Sequence, residues 1–344
     1  MRIGILTGGG DCPGLNAVIR AIVRKGVSTH DDEILGFIDS WDGVMDRRFV
    51  RLDVASVRGL LPRGGTILGT RRGSPFDHAN GIERVRACFD AESLDGLIVI
   101  GGNGSLTVAS MLHEQIGLPV IGVPKTIDND VVGTDLTFGF NTAVQIATDA
   151  IDRLHTTAES HDRVVVVEVM GRDTGWIATH AGLAGGATVI LVPEEAFDIA
   201  KVCETIERRH SRGRYASLVV VAEGALPIPG TMDVPDYSKD PLGRPRLGGI
   251  CVNIATEIER RTAIEARVVQ IGHVQRGGTP TAFDRVLSTR FGIAAVDAAH
   301  DGAWGHMVAI KGELITRIAL RDVVGRTRTL DLSLLHGVAD VFFG

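Results

Sequence analysis

Short apolar runs that end in glycine-rich loops, each followed by helical spacing, constrain this chain more than any other feature. Arg2–Leu6 reads as a strand; Thr7-Gly8-Gly9-Gly10-Asp11-Cys12-Pro13-Gly14 is its loop, and Leu15–Arg24 has helical spacing. Glu33–Phe37 is a second strand. Leu97–Ile100 is a buried strand that leads into Gly101-Gly102-Asn103-Gly104-Ser105 and a helix from about Leu106 to His113. Leu118–Val123 is another apolar run, and it stops at Pro124, which cannot continue a central ladder. Further strands are expected at Arg163–Val169, Ala187–Val192, Ser217–Ala222, Ala266–Ile271 and Met307–Ile310. Helices are expected at Asn141–His155, Ile199–Arg209, Gly249–Arg260 and Phe283–Ala299. Such alternation predicts an α/β fold of doubly wound, mainly parallel sheets. The stretch from about Leu226 to Gly248 is rich in Pro, Gly and Asp and reads as a long surface loop or hairpin.

A length of 344 residues fits two domains of ordinary size. With 44% hydrophobic and 23% charged residues, the composition is that of a soluble globular protein. The net charge of -6, without a Lys/Arg block, argues against nucleic acid as a partner. The cysteines Cys12, Cys88, Cys203 and Cys251 lack CxxC spacing, so neither a disulfide framework nor a zinc site is expected. The N-terminus enters a strand at once, and no apolar run is long enough to span a membrane; a reducing cytoplasm is the expected location.

The strand–glycine–helix device occurs twice, after Leu6 and after Ile100, and suits an anion held by loop amides and a helix N-terminus. The first loop is neither a Walker A nor a GxGxxG fingerprint, and tight turn packing is its alternative reading. Gly64-Gly65-Thr66-Ile67-Leu68-Gly69-Thr70-Arg71-Arg72-Gly73 adds paired guanidinium groups next to glycines; a solvated Arg-Arg loop is the alternative. Pro124-Lys125-Thr126-Ile127-Asp128-Asn129-Asp130 sets two carboxylates beside a lysine and a hydroxyl, past the C-terminal end of a strand. Ligands bind at that edge in open α/β sheets, and the combination points to phosphoryl transfer; an Asx-rich turn is the alternative. The loops of the two devices and the Pro124–Asp130 loop can meet along one sheet edge.

These motifs, with Val169-Met170-Gly171-Arg172, Ala222-Glu223-Gly224 and Gly272-His273-Val274-Gln275-Arg276-Gly277-Gly278, closely resemble those of the 6-phosphofructokinases. The likeness is strongest to the bacterial branch that holds ATP- and pyrophosphate-dependent enzymes, and it covers essentially the whole chain. It implies two subdomains with the active site in the cleft between them. Residues 1–139 with about 275–325 would bind the phosphoryl donor, and 140–274 with about 326–344 the sugar phosphate. Asp128 would be the general base toward the 1-hydroxyl of fructose 6-phosphate, and Asp130 would position that hydroxyl or a magnesium ion. Thr126, Arg172 and Lys125 would stabilise the transferring phosphoryl group. Gly10, Arg71, Arg72, Gly102, Asn103, Gly104 and Ser105 would line the donor site. Met170, Gly171, Glu223, His273 and Arg276 would hold the sugar phosphate, and Arg163 and Arg267 would reach its 6-phosphate from a neighbouring subunit of a homodimer or homotetramer.

Two departures bear on chemistry. Gly104 follows the ATP-dependent pattern, whereas Lys125 follows the pyrophosphate-dependent one. An open Gly104 leaves room for a nucleotide α-phosphate, so ATP with Mg2+ is the expected donor and pyrophosphate the alternative. Asn103 stands where relatives carry an acid that interacts with the donor's magnesium, and a neutral amide is a poorer ligand for a hard cation. A weakly active, sugar-phosphate-binding regulatory paralogue is therefore a third reading. At the effector site implied by the family, Arg20, Arg24, Arg212 and Arg214 fit the basic pattern. His155 and Thr188 replace the usual Arg and Glu, so a weak response to ADP is expected.

Overall fold

The computed structural model describes residues 1–234, 238–239, 247–339 and 341. The chain forms two compact units: Met1–Thr142 with Arg276–Thr327, and Ala143–Gln275 with the chain from Arg328 onward.

In the first unit the order begins with β1 (Arg2–Gly8), α1 (Leu15–His30), β2 (Glu33–Phe37), α2 (Trp41–Met45) and β3 (Phe49–Leu52). It continues with α3 (Gly81–Glu92), β4 (Gly96–Gly101), α4 (Asn103–Ile116), β5 (Val120–Thr126) and the short β6 (Phe138–Gly139). The unit boundary falls inside α5 (Phe140–His161). The second unit holds β7 (Val164–Val169), α6 (Trp176–Ala184), β8 (Val189–Leu191), α7 (Ile199–Ser211), β9 (Ser217–Ala222), α8 (Ile250–Thr262) and β10 (Ala266–Gln270). The chain then returns to the first unit through α9 (Ala282–His300), β11 (His306–Lys311) and β12 (Leu314–Ala319).

The first sheet has strand order β12-β11-β5-β4-β1-β2-β3, with β6 paired to the end of β5. Its centre is parallel, because the strands are joined through helices that cover the faces; β4 is buried along its whole length, as its unbroken apolar sequence requires. Both edges turn antiparallel: β3 returns on β2 and β12 on β11. The second sheet, β10-β7-β9-β8, is parallel throughout, and the all-valine core of β7 is buried on both faces.

The expected strand end before Pro124 is corrected. β5 runs through Pro124 to Thr126, and Pro124 pairs with Gly101 of β4. The proline is tolerated because β11 pairs with β5 only at Ile121 and Gly122; β11 itself runs on to Lys311, but its ladder with β5 has stopped before Pro124 is reached. β6 takes over at Lys125 and Thr126. The expected long loop at Leu226–Gly248 lies partly outside the described residues; in its described part Phe197 and Pro227 form an isolated bridge.

Candidate functional site

The register of three adjacent parallel strands brings the first unit's loops together. Gly8 of β1 lies opposite Gly101 of β4, and Gly101 lies opposite Pro124 of β5. The loops after β1, β4 and β5 therefore leave the sheet side by side at its C-terminal edge.

Side chains tie these loops to one another. Lys125 is buried and its Nζ donates to the Gly10 carbonyl at 2.5 Å. Burial pulls the Lys125 ammonium below its ordinary range, with Arg276 acting in the same direction and Cys12, Asp128 and Asp11 opposing it. From the other side, Arg276 Nη1 donates to the Asp11 carbonyl at 3.3 Å. The first loop is thus gripped by two cations through its carbonyls. The Cys12 thiol beneath it is pushed up to about 12 by burial, so it stays protonated.

The second glycine-rich stretch folds onto the first. Gly9 N donates to the Arg71 carbonyl at 3.1 Å, and Thr70 Oγ1 donates to the Gly9 carbonyl at 2.7 Å. Asn16 organises this stretch: its Nδ2 donates to the Gly64 carbonyl at 3.0 Å, and its Oδ1 accepts from Ile67 N at 2.9 Å. Asn16 falls in the helix expected after the first loop, where the sequence reading assigned it no role. Its only signal was a polar residue on the otherwise apolar start of α1, and Asn16 is indeed buried there. The Arg71 guanidinium lies 3.5 Å from Asp39 and 3.7 Å from Asp42, so it is paired with acids. Arg72 is exposed.

The glycines divide by what surrounds them. A methyl built on Gly8 would lie 2.4 Å from Ser105 Oγ, and one built on Gly10 would lie 2.4 Å from Arg276 Nη1. At Gly102 it would lie 3.1 Å from the Lys125 carbonyl. At these three positions a side chain would press on protein atoms. At Gly104 a methyl would meet nothing within 4 Å, so that side of the loop is open.

The acidic turn is shaped by its own side chains. Asp128 N donates to Thr126 Oγ1 at 3.0 Å. Asn129 is buried in the left-handed region at φ 52°, and its Oδ1 accepts from Thr137 N at 3.0 Å. Asn is among the few side chains that tolerate this backbone, and its position makes the chain reverse so that Asp128 and Asp130 flank it, both half-buried. Asn103, first residue of α4, donates from Nδ2 to Asp130 Oδ2 at 2.8 Å. The oxygens here suit one hard cation only thinly. Asp130 and Asp128 offer carboxylates and Asn103 a neutral oxygen, and among the described residues no group of three or more His, Cys, Asp or Glu could hold a metal alone. That donor set fits magnesium, which keeps its waters and is commonly bound by one or two carboxylates together with substrate phosphates.

The second unit repeats the device. Val169 of β7 lies opposite Ala222 of β9, and both strands end there. Glu223 N donates to the Val169 carbonyl at 2.9 Å, and Gly224 N to the Gly171 carbonyl at 3.0 Å. Gly171 sits at φ 141°, where a side chain would also strike the Thr174 carbonyl at 2.5 Å. Met170, Gly171, Arg172 and Glu223 are thereby brought together, and His273 follows the end of the next strand, β10, in the turn Gly272–Arg276. Arg276 itself belongs to the first unit, on the Gly10–Asp11 loop.

Arg163 and Arg267 are at the opposite edge of this sheet. Arg163 immediately precedes β7 and Arg267 is the second residue of β10, so the length of a strand, about 20 Å, separates them from Met170 and Glu223. Both meet Glu265: Arg163 Nε donates to it at 2.6 Å, and Arg267 donates to its other oxygen. These arginines lower the Glu265 carboxyl below its usual value, chiefly through the Arg163 hydrogen bond.

Two of the residues expected at an effector site, His155 and Thr188, are hydrogen-bonded within the second unit. His155 Nε2 is hydrogen-bonded with the Gly185 carbonyl. Thr188 is buried, and its Oγ1 accepts from Leu218 N at 3.3 Å. No helix of the described residues is long and apolar enough to cross a membrane.

Comparisons with known proteins identify the family. The family described as phosphofructokinase matches residues 2–299. A pyrophosphate–fructose 6-phosphate 1-phosphotransferase of Streptomyces coelicolor is 55% identical over 344 residues, covering 100% of both chains. An ATP-dependent 6-phosphofructokinase 3 of the same organism is 52% identical over 330 residues, 96% of each chain. The crystal structure of Pichia pastoris phosphofructokinase in the T-state is similar with a TM-score of 0.84 at 30% identity, over 99% of this chain and 36% of that one, so this chain spans only about a third of the yeast protein. A match over most of its length, together with these relatives, makes the chain a member of the phosphofructokinase family.

Proposed function

We propose that the protein is a 6-phosphofructokinase that transfers the γ-phosphoryl group of ATP to the 1-hydroxyl of fructose 6-phosphate, giving ADP and fructose 1,6-bisphosphate. The observation that carries this reading is the acidic turn at Asp128, set by strand register beside two glycine loops at one sheet edge. Asp128 takes the proton of the 1-hydroxyl as that oxygen bonds to the γ-phosphorus and the bond to the leaving ADP oxygen breaks. Thr126, Lys125 and Arg172 supply hydrogen bonds and positive charge to the phosphoryl oxygens, where charge stabilisation is the main lever. The unit of Met1–Thr142 and Arg276–Thr327 binds the donor, through Gly10, Arg71, Arg72, Gly102, Asn103, Gly104 and Ser105. The second unit binds the sugar phosphate through Met170, Gly171, Arg172, Glu223 and His273, with Arg276 contributed by the first. Asp130, together with the donor's phosphates, would hold magnesium, which would supply neutralisation of phosphate charge.

The separation of Arg163 and Arg267 from Met170 and Glu223 supports the reading that these arginines serve the 6-phosphate in a neighbouring copy. The internal bonds of His155 and Thr188 support a weak response to ADP.

ATP is the proposed donor because the space at Gly104 is open. Pyrophosphate is the second reading, favoured by the buried Lys125 beside the first loop and by the named activity of a relative 55% identical. Assaying the purified protein with each donor separates them: turnover with ATP well above that with pyrophosphate is expected, and the reverse order would overturn the choice. Asp128→Asn is expected to lower kcat by about 10²–10⁴-fold with either donor. Undiminished turnover would remove the assignment of the base.

A further inference from the structure

The amide of Asn103 faces two oxygens of the same residue, Asp130 Oδ2 at 2.8 Å and the Asp130 carbonyl at 3.4 Å. Both are acceptors, so the nitrogen must point at them and the amide orientation is fixed by its surroundings. An ionised carboxylate at position 103 has no proton to give. It would stand against the Asp130 carboxylate and carbonyl at hydrogen-bond distance, and at neutral pH a cation between them would best relieve the repulsion, a shared proton being the acid-side alternative. Asn103 is also anchored from behind, because it is the first residue of α4 and its carbonyl accepts from Thr107 Oγ1 at 2.8 Å. The residue therefore holds the acidic turn from a rigid element.

We propose that Asn103 is a positioning residue for Asp130: its N–H closes by a hydrogen bond a junction that an acid at the same place closes best around a cation, so the Asp130 carboxylate is oriented before magnesium arrives. The neutral residue at 103 then marks a change in how the acidic turn is held. It does not mark loss of the site. The part concerning magnesium rests on the phosphofructokinase reading; the part concerning the hydrogen bond does not.

Thermal unfolding of the protein without donor or sugar phosphate tests the pair, with and without millimolar Mg2+. The wild type is expected to keep the same Tm in both conditions. Asn103→Ala is expected to lose about 2–5 °C in both. Asn103→Asp is expected to lose a similar amount without Mg2+ and to regain most of it when Mg2+ is added. The exchanged pair, Asn103→Asp with Asp130→Asn, restores an amide–carboxylate bond and is expected to return toward the wild-type Tm without Mg2+. In turnover, loss of a group that orients a metal ligand typically costs about 10–100-fold in metal affinity or rate. Asn103→Ala should therefore need about 10-fold more Mg2+ for half-maximal rate, with KM for fructose 6-phosphate unchanged. A Tm of Asn103→Asp equal to wild type and indifferent to Mg2+, or an Asn103→Ala variant with wild-type Tm and Mg2+ requirement, would overturn the proposal. If instead the Tm pattern holds while no variant, wild type included, phosphorylates fructose 6-phosphate, the pair stands and the kinase reading fails.

Discussion

Lys125 Nζ donates to the Gly10 carbonyl at 2.5 Å, joining the end of β5 to the loop after β1 with a buried ammonium. Removal from water pulls this ammonium below its ordinary value of 10.5. A folded pKa below the unfolded one means that unfolding takes up a proton in the window between the two. Wild-type stability relative to Lys125→Met should therefore rise as pH climbs toward 10.5, and fall as pH drops through the folded pKa. Denaturant melts of both proteins at pH 7 and pH 10 measure the difference between them; a difference independent of pH would show that the ammonium is not held in a desolvated place.

Gly10 and Gly104 should respond oppositely to a side chain. Gly10→Ala puts a methyl against the Arg276 guanidinium, the far end of a flexible side chain, which must shift and give up its bond to the Asp11 carbonyl; the cost to the first unit should be about 1 kcal/mol, that of one net hydrogen bond. A Cβ at Gly104 meets nothing within 4 Å, so Gly104→Asp should leave the fold unchanged. Its carboxylate would occupy space left for a nucleotide, and kcat/KM for ATP should fall by at least about 10-fold through clash and like-charge repulsion. Circular-dichroism melts and donor kinetics read the two effects; a Gly104→Asp enzyme with undiminished ATP use would count against ATP occupying that space.

Arg163 and Arg267 share Glu265 at the sheet edge away from Met170 and Glu223. Truncating either arginine should raise KM for fructose 6-phosphate by about 10–100-fold, the worth of one charge-assisted hydrogen bond to phosphate. If a neighbouring copy receives them, mixed oligomers of Arg163→Ala and Asp128→Asn subunits should recover activity at low sugar phosphate, because one of the shared sites then carries both intact groups. No recovery on mixing would place the arginines in their own subunit's chemistry, or in none.

Glu168 is buried on β7 and accepts from Gly249 N at 2.9 Å, Cys251 N at 3.1 Å and Gln270 Nε2 at 2.7 Å. It closes the N-terminus of α8, whose cap residue Gly249 has no side chain to do so. Glu168→Ala strands these donors and should cost about 1–3 kcal/mol for each buried one left unmatched. Glu168→Gln, which keeps an acceptor, should cost less. Hydrogen exchange at the amides of Gly249 and Cys251 reports the loss directly; protection equal to wild type in Glu168→Ala would exclude the capping role.

The alternation of apolar runs, glycine loops and helices was enough to give an α/β fold with parallel sheets, because burial on both faces leaves strands without polar residues and only helices can return the chain. Strands such as β2 and β9 are therefore legible to the residue. The weakly patterned edge elements were not: β3 and β12 are only partly buried and owe their form to antiparallel pairing with a neighbour already in place. Pro124 misled for the same reason, since its acceptability depends on where the pairing of β11 with β5 stops.

The sequence alone determined which residue types crowd at strand ends, and so the phosphate-handling character of Pro124–Asp130 and of the glycine loops. Tertiary structure decided what each residue does there. Strand register brought Gly8, Gly101 and Pro124 into line, Arg276 and Ser105 filled the space beside Gly10 and Gly8, and Asn103 turned its amide onto Asp130. These are contacts between residues far apart in the chain, and their distances follow from packing, which no local spacing encodes.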